Sequence, residues 1–311
     1  MENIHEPVLL EETLASLNCH PGKIYVDGTV GGGGHAFHIL KSCPDIRLLV
    51  GVDRDEEVLT YARRRLASFK ERCFLVKGNY SQIKEILLEV HVESVDGVLL
   101  DLGVSSYQLS SASRGFSFLT EGPLDMRMDT DQTLTAAMIV NESSQGRLKT
   151  VIREYGEEKW AASIARSIVK TREEAPIRTV RKLAEVVTQA IPVRARPRKI
   201  HPATRTFQAL RIAVNDELIH LQKALPDVID ILAPGGRIAV ISFHSLEDRL
   251  VKNTFRGNAR QCICPPNIPR CGCGHIRKLR LLTKKPLVPT PEEISRNARS
   301  RSARLRVAER L

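Results

Sequence analysis

The sequence predicts an α/β fold, a doubly wound sheet of β-α units with an all-helical stretch inserted before its last strands. Three observations predict it. Short apolar runs at 23–27, 47–53, 73–77, 95–101 and 238–242 each read as a buried strand. Helix-period patterns separate the first four of these runs, as parallel strands require. From about Thr133 to Ala190 no strand pattern occurs, so the alternation is interrupted by helices. The predicted organisation is a sheet domain begun by 1–109, a helical insertion over 110–215, and a second part of the sheet domain over 216–311 ending in a basic C-terminal tail.

The chain is organised around Asp27-Gly28-Thr29-Val30-Gly31-Gly32-Gly33-Gly34-His35, which links the run Ile24-Tyr25-Val26 to a helix-like run from Ala36 to Lys41. Consecutive glycines between a strand and a helix leave the backbone bare, so a ligand can approach the main chain. The next strand ends in Asp53, roughly 20 residues past the turn, where an acid at a strand tip binds ribose hydroxyls. This spacing suits a dinucleotide or S-adenosylmethionine (SAM). The loop does not scan as GxGxxG leading into a long helix, and it opens with Asp27 and closes with His35. An acid repels a pyrophosphate and suits an amino acid zwitterion carrying a sulfonium. The charge therefore favours SAM. An NAD-dependent oxidoreductase is the alternative on spacing.

The 311 residues carry a net charge of +11, and Ile276 to Leu311 holds 11 Lys/Arg against 3 Asp/Glu. Such an excess predicts a polyanionic partner, nucleic acid before membrane. No secretion-type segment opens the chain, and no apolar run nears the roughly 20 residues that cross a bilayer. The expectation is a cytoplasmic protein with no membrane association and reduced thiols. Nothing in the pattern fixes the oligomeric state; a homodimer is compatible with it.

Taken in order, His5 to Glu12 reads as an extended arm leading to a helix from about Glu11, with His5 a lone candidate for function. Asp55 to Phe69 is an amphipathic helix, with Val58, Ala62, Leu66 and Phe69 on one face. The strand Cys73–Lys77 delivers Tyr80 to the ligand edge, where it flanks an adenine or simply packs. The strand 95–101 ends in Asp101, in register with Asp53, and leads into Leu102 to Leu109, where reacting atoms are expected. Ser110 to Asp131 is irregular; a loop this long is functional or disordered, and its aromatics and methionines argue against disorder. Helices follow, with Trp160, Ile164 and Ile168 on one face and Leu183, Val187 and Ala190 on another. Val193 to Arg205 is a basic connector. One long helix is predicted from Phe207 through Leu225, ending before Pro226, with Arg205, Gln208 and Arg211 on its polar side. Gly235-Gly236-Arg237 reads as a turn before the strand Ile238–Ser242. Strand-like runs at 279–283 and 303–307 form a final hairpin-like pair, which is typical of SAM-dependent methyltransferases.

Cys262-x-Cys264 and Cys271-x-Cys273, with His275 beyond, have the count for a tetrahedral zinc site. The pairs are tighter than the usual C-x2-C. Structural zinc and reduced thiols in a Pro-rich loop are both open readings.

Several strings now occur together: His5…Pro7-Val8-Leu9-Leu10; Asp27-Gly28-Thr29…Gly33-Gly34-His35; Asp53-Arg54-Asp55; Asp101-Leu102-Gly103-Val104-Ser105-Ser106; Gly122-Pro123-Leu124-Asp125-Met126-Arg127-Met128-Asp129; His201 to Arg211; and Ser242 to Arg249. In these the chain resembles the MraW/RsmH family of bacterial methyltransferases, from His5 to Arg310. The resemblance implies a Rossmann-like, SAM-dependent methyltransferase sheet carrying an inserted all-helical subdomain that recognises RNA. It implies SAM contacts at Gly33, Gly34, His35, Asp53, Tyr80, Asp101 and Gln108, with Tyr80 standing where the family has Phe. The implied substrate is the small ribosomal subunit, at N4 of a cytidine in the decoding region of 16S ribosomal RNA, methylated directly with no covalent enzyme–base intermediate.

Many amino-methyltransferases place a (Asp/Asn/Ser)-Pro-Pro-aromatic turn after the fourth strand. Here the turn is Asp101-Leu102-Gly103-Val104, so the acceptor of the N4 hydrogen is Asp101, the Leu102 carbonyl or Ser105. Methylation at C5 would need a cysteine nucleophile, and no cysteine falls at a predicted strand tip. The insert, the basic connector and Arg296, Arg299, Arg301 and Arg304 are the segments expected to hold RNA.

Overall fold

The computed structural model describes residues 7–197, 199–265 and 271–311, so His5 lies outside the described residues. The chain falls into two compact units, Met1–Gly103 with Leu218–Leu311, and Val104–Glu217. The second unit begins at Val104, where the sequence reading placed the break after Leu109.

The first unit is a seven-stranded sheet in the order β3-β2-β1-β4-β5-β7-β6. Its strands are β1 (Ile24–Asp27), β2 (Leu48–Asp53), β3 (Cys73–Lys77), β4 (Val95–Asp101), β5 (Leu232–Ser242), β6 (Leu279–Leu281) and β7 (Arg304–Arg310). β1 to β5 run parallel, and β7 lies antiparallel between β5 and β6. This is the expected α/β, Rossmann-like sheet. Its strand order reverses at the β1/β4 boundary, and the crevice outside such a switch point is where doubly wound sheets bind ligands.

Alternate residues of each central strand enter different cores. Val98 and Leu100 of β4, with Ile238 and Val240 of β5, face one apolar cluster, whereas Leu99, Ala239 and Ile241 face the other. The first cluster is covered by α4 (Ile83–Glu89), α11 (Glu217–Ile231) and α12 (Ser245–Asn258); the second by α1 (Leu10–Leu17), α2 (Gly34–Ser42) and α3 (Glu56–Arg65). A short α13 (Pro291–Arg296) precedes β7.

The second unit holds α5 (Ser106–Ser110), α6 (Ala136–Glu142), α7 (Gln145–Gly156), α8 (Ala161–Glu174), α9 (Val180–Ala190) and α10 (Thr204–Asn215). Thr135, Ser144 and Thr179 cap α6, α7 and α9 by accepting backbone N–H bonds. The irregular stretch before α6 is built from within. Buried Asn215 donates to the Met126 carbonyl and accepts from the Met128 N–H, both at 2.8 Å. Arg127 brackets Asp125 and donates to the carbonyls of Thr130 and Gln132.

Three sequence expectations need correction. The helix from Phe207 to Leu225 is two helices, because Asp216 takes a left-handed conformation with φ of 48° between α10 and α11. Pro226 does not end a helix; it sits inside α11, which continues because Val228 and Ile229 are fully or almost fully buried beyond it. The missing N–H costs one helical hydrogen bond, and burial outweighs it. Gly235-Gly236 does turn, with φ of +80° at Gly235, but not ahead of β5. It lies within that strand, where the pairing with β4 shifts register between Val95 and Gly97.

The last strand is also less of a tail than its charge suggests. Arg306 is buried and donates to Asp248 at 2.7 and 3.2 Å, and the more exposed Arg304 reaches the same carboxylate at 3.2 Å. Asp248→Ala leaves the Arg306 charge buried without a partner. It is expected to destabilise the fold by about 3–5 kcal/mol, read as a shift in the urea midpoint by circular dichroism, whereas Arg304→Ala costs less than about 1 kcal/mol.

Candidate functional site

The glycine stretch, the strand-tip acids and Tyr80 meet at the carboxyl edge of the first unit's sheet. Asp27 closes β1 and is almost wholly buried, at 1% exposure. Its Oδ1 accepts from the Thr29 N–H at 3.2 Å, and the Thr29 Oγ1 accepts from the Asp101 N–H at 2.6 Å. One threonine thus ties the tip of β1 to the tip of β4. Asp53, at the tip of β2, accepts from the Gly31 N–H through Oδ2 and from the Asp55 N–H through Oδ1, each at 2.9 Å. Its first task is to hold the glycine loop, a role the ribose-binding motif does not announce. The remaining lone pairs of a carboxylate stay available to a hydroxyl.

The glycines divide by duty. Gly33 has φ of +79° and packs against Leu66, and a Cβ on Gly34 would come within 2.9 Å of Pro7. Both are required by the protein's own folding. A Cβ on Gly32 would meet nothing within 4 Å, so this part of the loop opens onto free space. Tyr80 is buried in the apolar cluster against Gly28, whose added Cβ would lie 3.2 Å from the Tyr80 Cβ. Its ring therefore packs at the edge to which the sequence assigned it.

His35 is buried. Its Nε2 lies 3.0 Å from the Val8 carbonyl, and its Nδ1 lies 3.5 Å from Asp101 Oδ2. With Nε2–H donating to the carbonyl, a neutral imidazole presents the Nδ1 lone pair to Asp101, so a proton between the two is favoured. The other oxygen, Asp101 Oδ1, is buried and has no hydrogen-bond partner.

The acids here hold their protons unusually well. Burial pushes Asp27 up to about 7, with the charge of Asp53 adding to it and the Thr29 N–H opposing it. Burial likewise pushes Asp53 up to about 6, against the two backbone N–H bonds that lower it. Asp101 is held well above the usual carboxylate range by burial, then by Asp27, then by Glu247. Sequence reasoning used Asp27 only as a charge beside the loop and placed Glu247 at the ligand edge only as one of the polar groups that follow β5. Both belong to the electrostatics of this edge, and a strand-terminal acid followed by glycine was the signal for the first.

Ser105 and Gln108 belong to the second unit, where they form a reciprocal cap at the start of α5. The Ser105 Oγ accepts from the Gln108 N–H at 3.2 Å, and the Gln108 side-chain oxygen accepts from the Ser105 N–H at 2.9 Å. In the same unit a cavity of about 420 Å³ is lined by Phe118, Leu119, Arg181, Glu185, Thr188, Gln189, Arg196 and His201 among others. The rings of Phe118 and His201 lie 4.6 Å apart. The polar side of α10 is engaged internally: Gln208 donates to the Tyr155 carbonyl at 3.0 Å, and Arg211 pairs with Glu217 through two bonds of 2.8 Å.

The family model for the MraW methylases matches residues 2–311. The chain belongs to that family. A protein of Syntrophus aciditrophicus (strain SB) named ribosomal RNA small subunit methyltransferase H is 54% identical over 308 residues, covering 99% of this chain and 98% of the relative. A protein of Halothermothrix orenii with the same name is 51% identical over 307 residues, with coverage of 99% and 98%. Among solved structures, an rRNA methylase from Streptococcus thermophilus aligns with 99% of this chain and 98% of its own at a TM-score of 0.45 and 11% identity, a likeness too distant to bear on function. MraW methylases are SAM-dependent methyltransferases, and this edge fits such a group. The Gly32 backbone faces open space, Asp27 is buried, and Asp101 Oδ1 is a buried oxygen without a partner, a combination that suits a cationic group.

The pH dependence of stability follows from the acids. A carboxyl whose folded pKa is raised contributes fully below the unfolded value of about 4, and its contribution is lost as pH rises through the folded value. For Asp27 the loss runs up to about 7. The ligand-free protein should therefore lose stability between pH 4 and 7, and Asp27→Asn should flatten that slope in thermal or urea unfolding across the range. An unchanged slope in the variant removes Asp27 as its source.

Proposed function

We propose that this MraW methylase transfers the methyl group of SAM to the exocyclic N4 of a cytidine in the decoding region of small-subunit ribosomal RNA. The observation that carries the reading is the alignment of 99% of the chain with relatives named for small-subunit rRNA methylation. The residues add chemical support. SAM supplies the methyl group on a positively charged sulfur. Gly33, Gly34, His35, Asp53 and Tyr80 would hold it at the sheet edge.

Cytosine N4 is a weak nucleophile because its lone pair is delocalised into the ring. Removing its proton as the new N–C bond forms helps the reaction. Asp101 is the acceptor best suited to this. Its Oδ1 is buried without a partner, whereas the Ser105 hydroxyl already accepts a backbone N–H as a helix cap. A cation beside Asp101 lowers its pKa and leaves it ionised. Asp101 would then take up the proton that N4 releases as the new bond forms. Carbon methylation at C5 would instead need a thiolate. Burial pushes Cys19 and Cys73 up to about 12 and raises Cys43, so these stay protonated thiols.

The second unit supplies the surface for RNA. Arg181 and Arg196 line its cavity beside the Phe118–His201 pair, a combination that suits phosphate and a splayed base. Arg296, Arg299 and Arg301 of the first unit add phosphate contacts. Arg304 is partly committed to Asp248.

Methyl-labelled SAM incubated with unmodified small subunits, naked RNA and DNA tests the reading once the products are digested to nucleosides and identified by mass. N4-methylcytidine from the subunits is expected. Asp101→Asn should lower kcat by about 10²–10⁴-fold while SAM binding persists. Label in another nucleoside or in no nucleic acid, or a full rate in Asp101→Asn, overturns the corresponding part.

Two binding measurements separate donor from RNA. SAM binding near pH 6, followed by calorimetry in buffers of different ionisation enthalpy, should release protons as the raised carboxyls ionise. Arg181→Ala and Arg196→Ala should weaken RNA binding and each reduce the salt slope by roughly one, leaving SAM affinity unchanged.

A further inference from the structure

The connection between α12 and β6, in its described residues, is closely built at two places. Its base is fastened where the Lys278 N–H donates to the Asn258 carbonyl at 2.9 Å and the Lys278 ammonium meets Asp230 at 2.7 Å. Above that base the Sγ atoms of Cys262, Cys264, Cys271 and Cys273 all lie within 4.8 Å of one another. Cys262 and Cys271 are 3.4 Å apart, Cys271 and Cys273 3.5 Å, and Cys273 and Cys262 3.8 Å. All four are free thiols.

Neutral thiols gain little from such crowding, since S–H is a weak donor and sulfur a weak acceptor. A tetrahedral ion with sulfur ligands at about 2.3 Å, however, places its sulfurs roughly 3.8 Å apart. The backbone is arranged for negative sulfur as well. The Cys264 N–H donates to Cys262 Sγ at 3.3 Å. Hydrogen bonds of this kind favour the thiolate and orient it toward a metal. In sequence, Arg260 and Arg277 flank the set and offset the net negative charge that four thiolates leave on a divalent ion.

We infer that Cys262, Cys264, Cys271 and Cys273 bind one Zn²⁺ as a closed tetrahedral centre that fastens the α12–β6 connection. Binding breaks S–H bonds, forms S–Zn bonds and releases the thiol protons to solvent, with no change of oxidation state. Four protein ligands leave no open coordination position, so the ion is structural and stands apart from methyl transfer. Sulfurs this close enclose a single ion, whereas a cluster of several irons holds its thiolates further apart.

The test uses the full-length protein purified without chelator. Elemental analysis should find about one zinc per chain, and Cys262→Ser/Cys271→Ser should lose it. Because that variant can fail by misfolding, the wild type is also read directly. Stripped protein should take up one equivalent of zinc in competition with a chromophoric chelator, and cobalt in its place should give the visible bands of a tetrahedral thiolate site. Alkylation followed by peptide mass should find these four cysteines protected until chelator is added. Stoichiometric iron, disulfides among the four, or all four alkylating at once in a metal-free protein overturns the assignment.

Discussion

Asp53 reaches back from the tip of β2 to accept the Gly31 N–H, and the glycine loop takes its path from that bond. A buried carboxylate must find donors or remain protonated, and here the donors are main-chain groups of the segment that needs shaping. The same economy recurs at the neighbouring strands. Thr29 gives its N–H to Asp27 and accepts the N–H of Asp101, which fixes the tips of β1 and β4 against each other. After these bonds form, one buried oxygen is left over, Asp101 Oδ1. That oxygen is what remains once the loop has satisfied itself.

Much of this edge was legible in the sequence because strand tips and glycine turns are local signals. Strands ending at Asp27, Asp53 and Asp101 are where the apolar runs placed them, and the succession of acid, glycine turn, helix and acid survives intact. What escaped were features set by tertiary contacts. Nothing local separates a ribose-binding acid from one that also grips a loop, so the Asp53–Gly31 bond was invisible. The apolar stripe from Phe207 to Leu225 runs through Asp216 without interruption, because periodicity reports which residues are buried and not whether the backbone turns between them. Pro226 misled for the converse reason: its local cost is real, and the burial that outweighs it comes from other elements. Ser105 and Gln108 stood out by position, and their mutual cap shows that such prominence has a structural source as well.

Charge shows the same limit. The basic excess of the last residues points to a polyanion when counted, yet its members have different duties. Arg306 is buried on Asp248, Arg280 and Arg237 share Glu309, and Arg310 donates to the Lys278 carbonyl. These cations hold β7 between its neighbours. The count remains a sound guide to the protein's long-range field, but several of the counted charges are spent inside the sheet.

The acids at the sheet edge make the ligand-free protein less stable than it could be. Moving the Asp27 pKa from 3.8 to about 7 corresponds to a cost on the order of 4 kcal/mol when the group is ionised. Replacing these acids with apolar residues would remove that cost. Asp27 is almost fully buried, so solvent screens it little and its charge acts on its neighbours at close to full strength. A positive charge brought beside these acids would lower their pKa values and offset part of that cost.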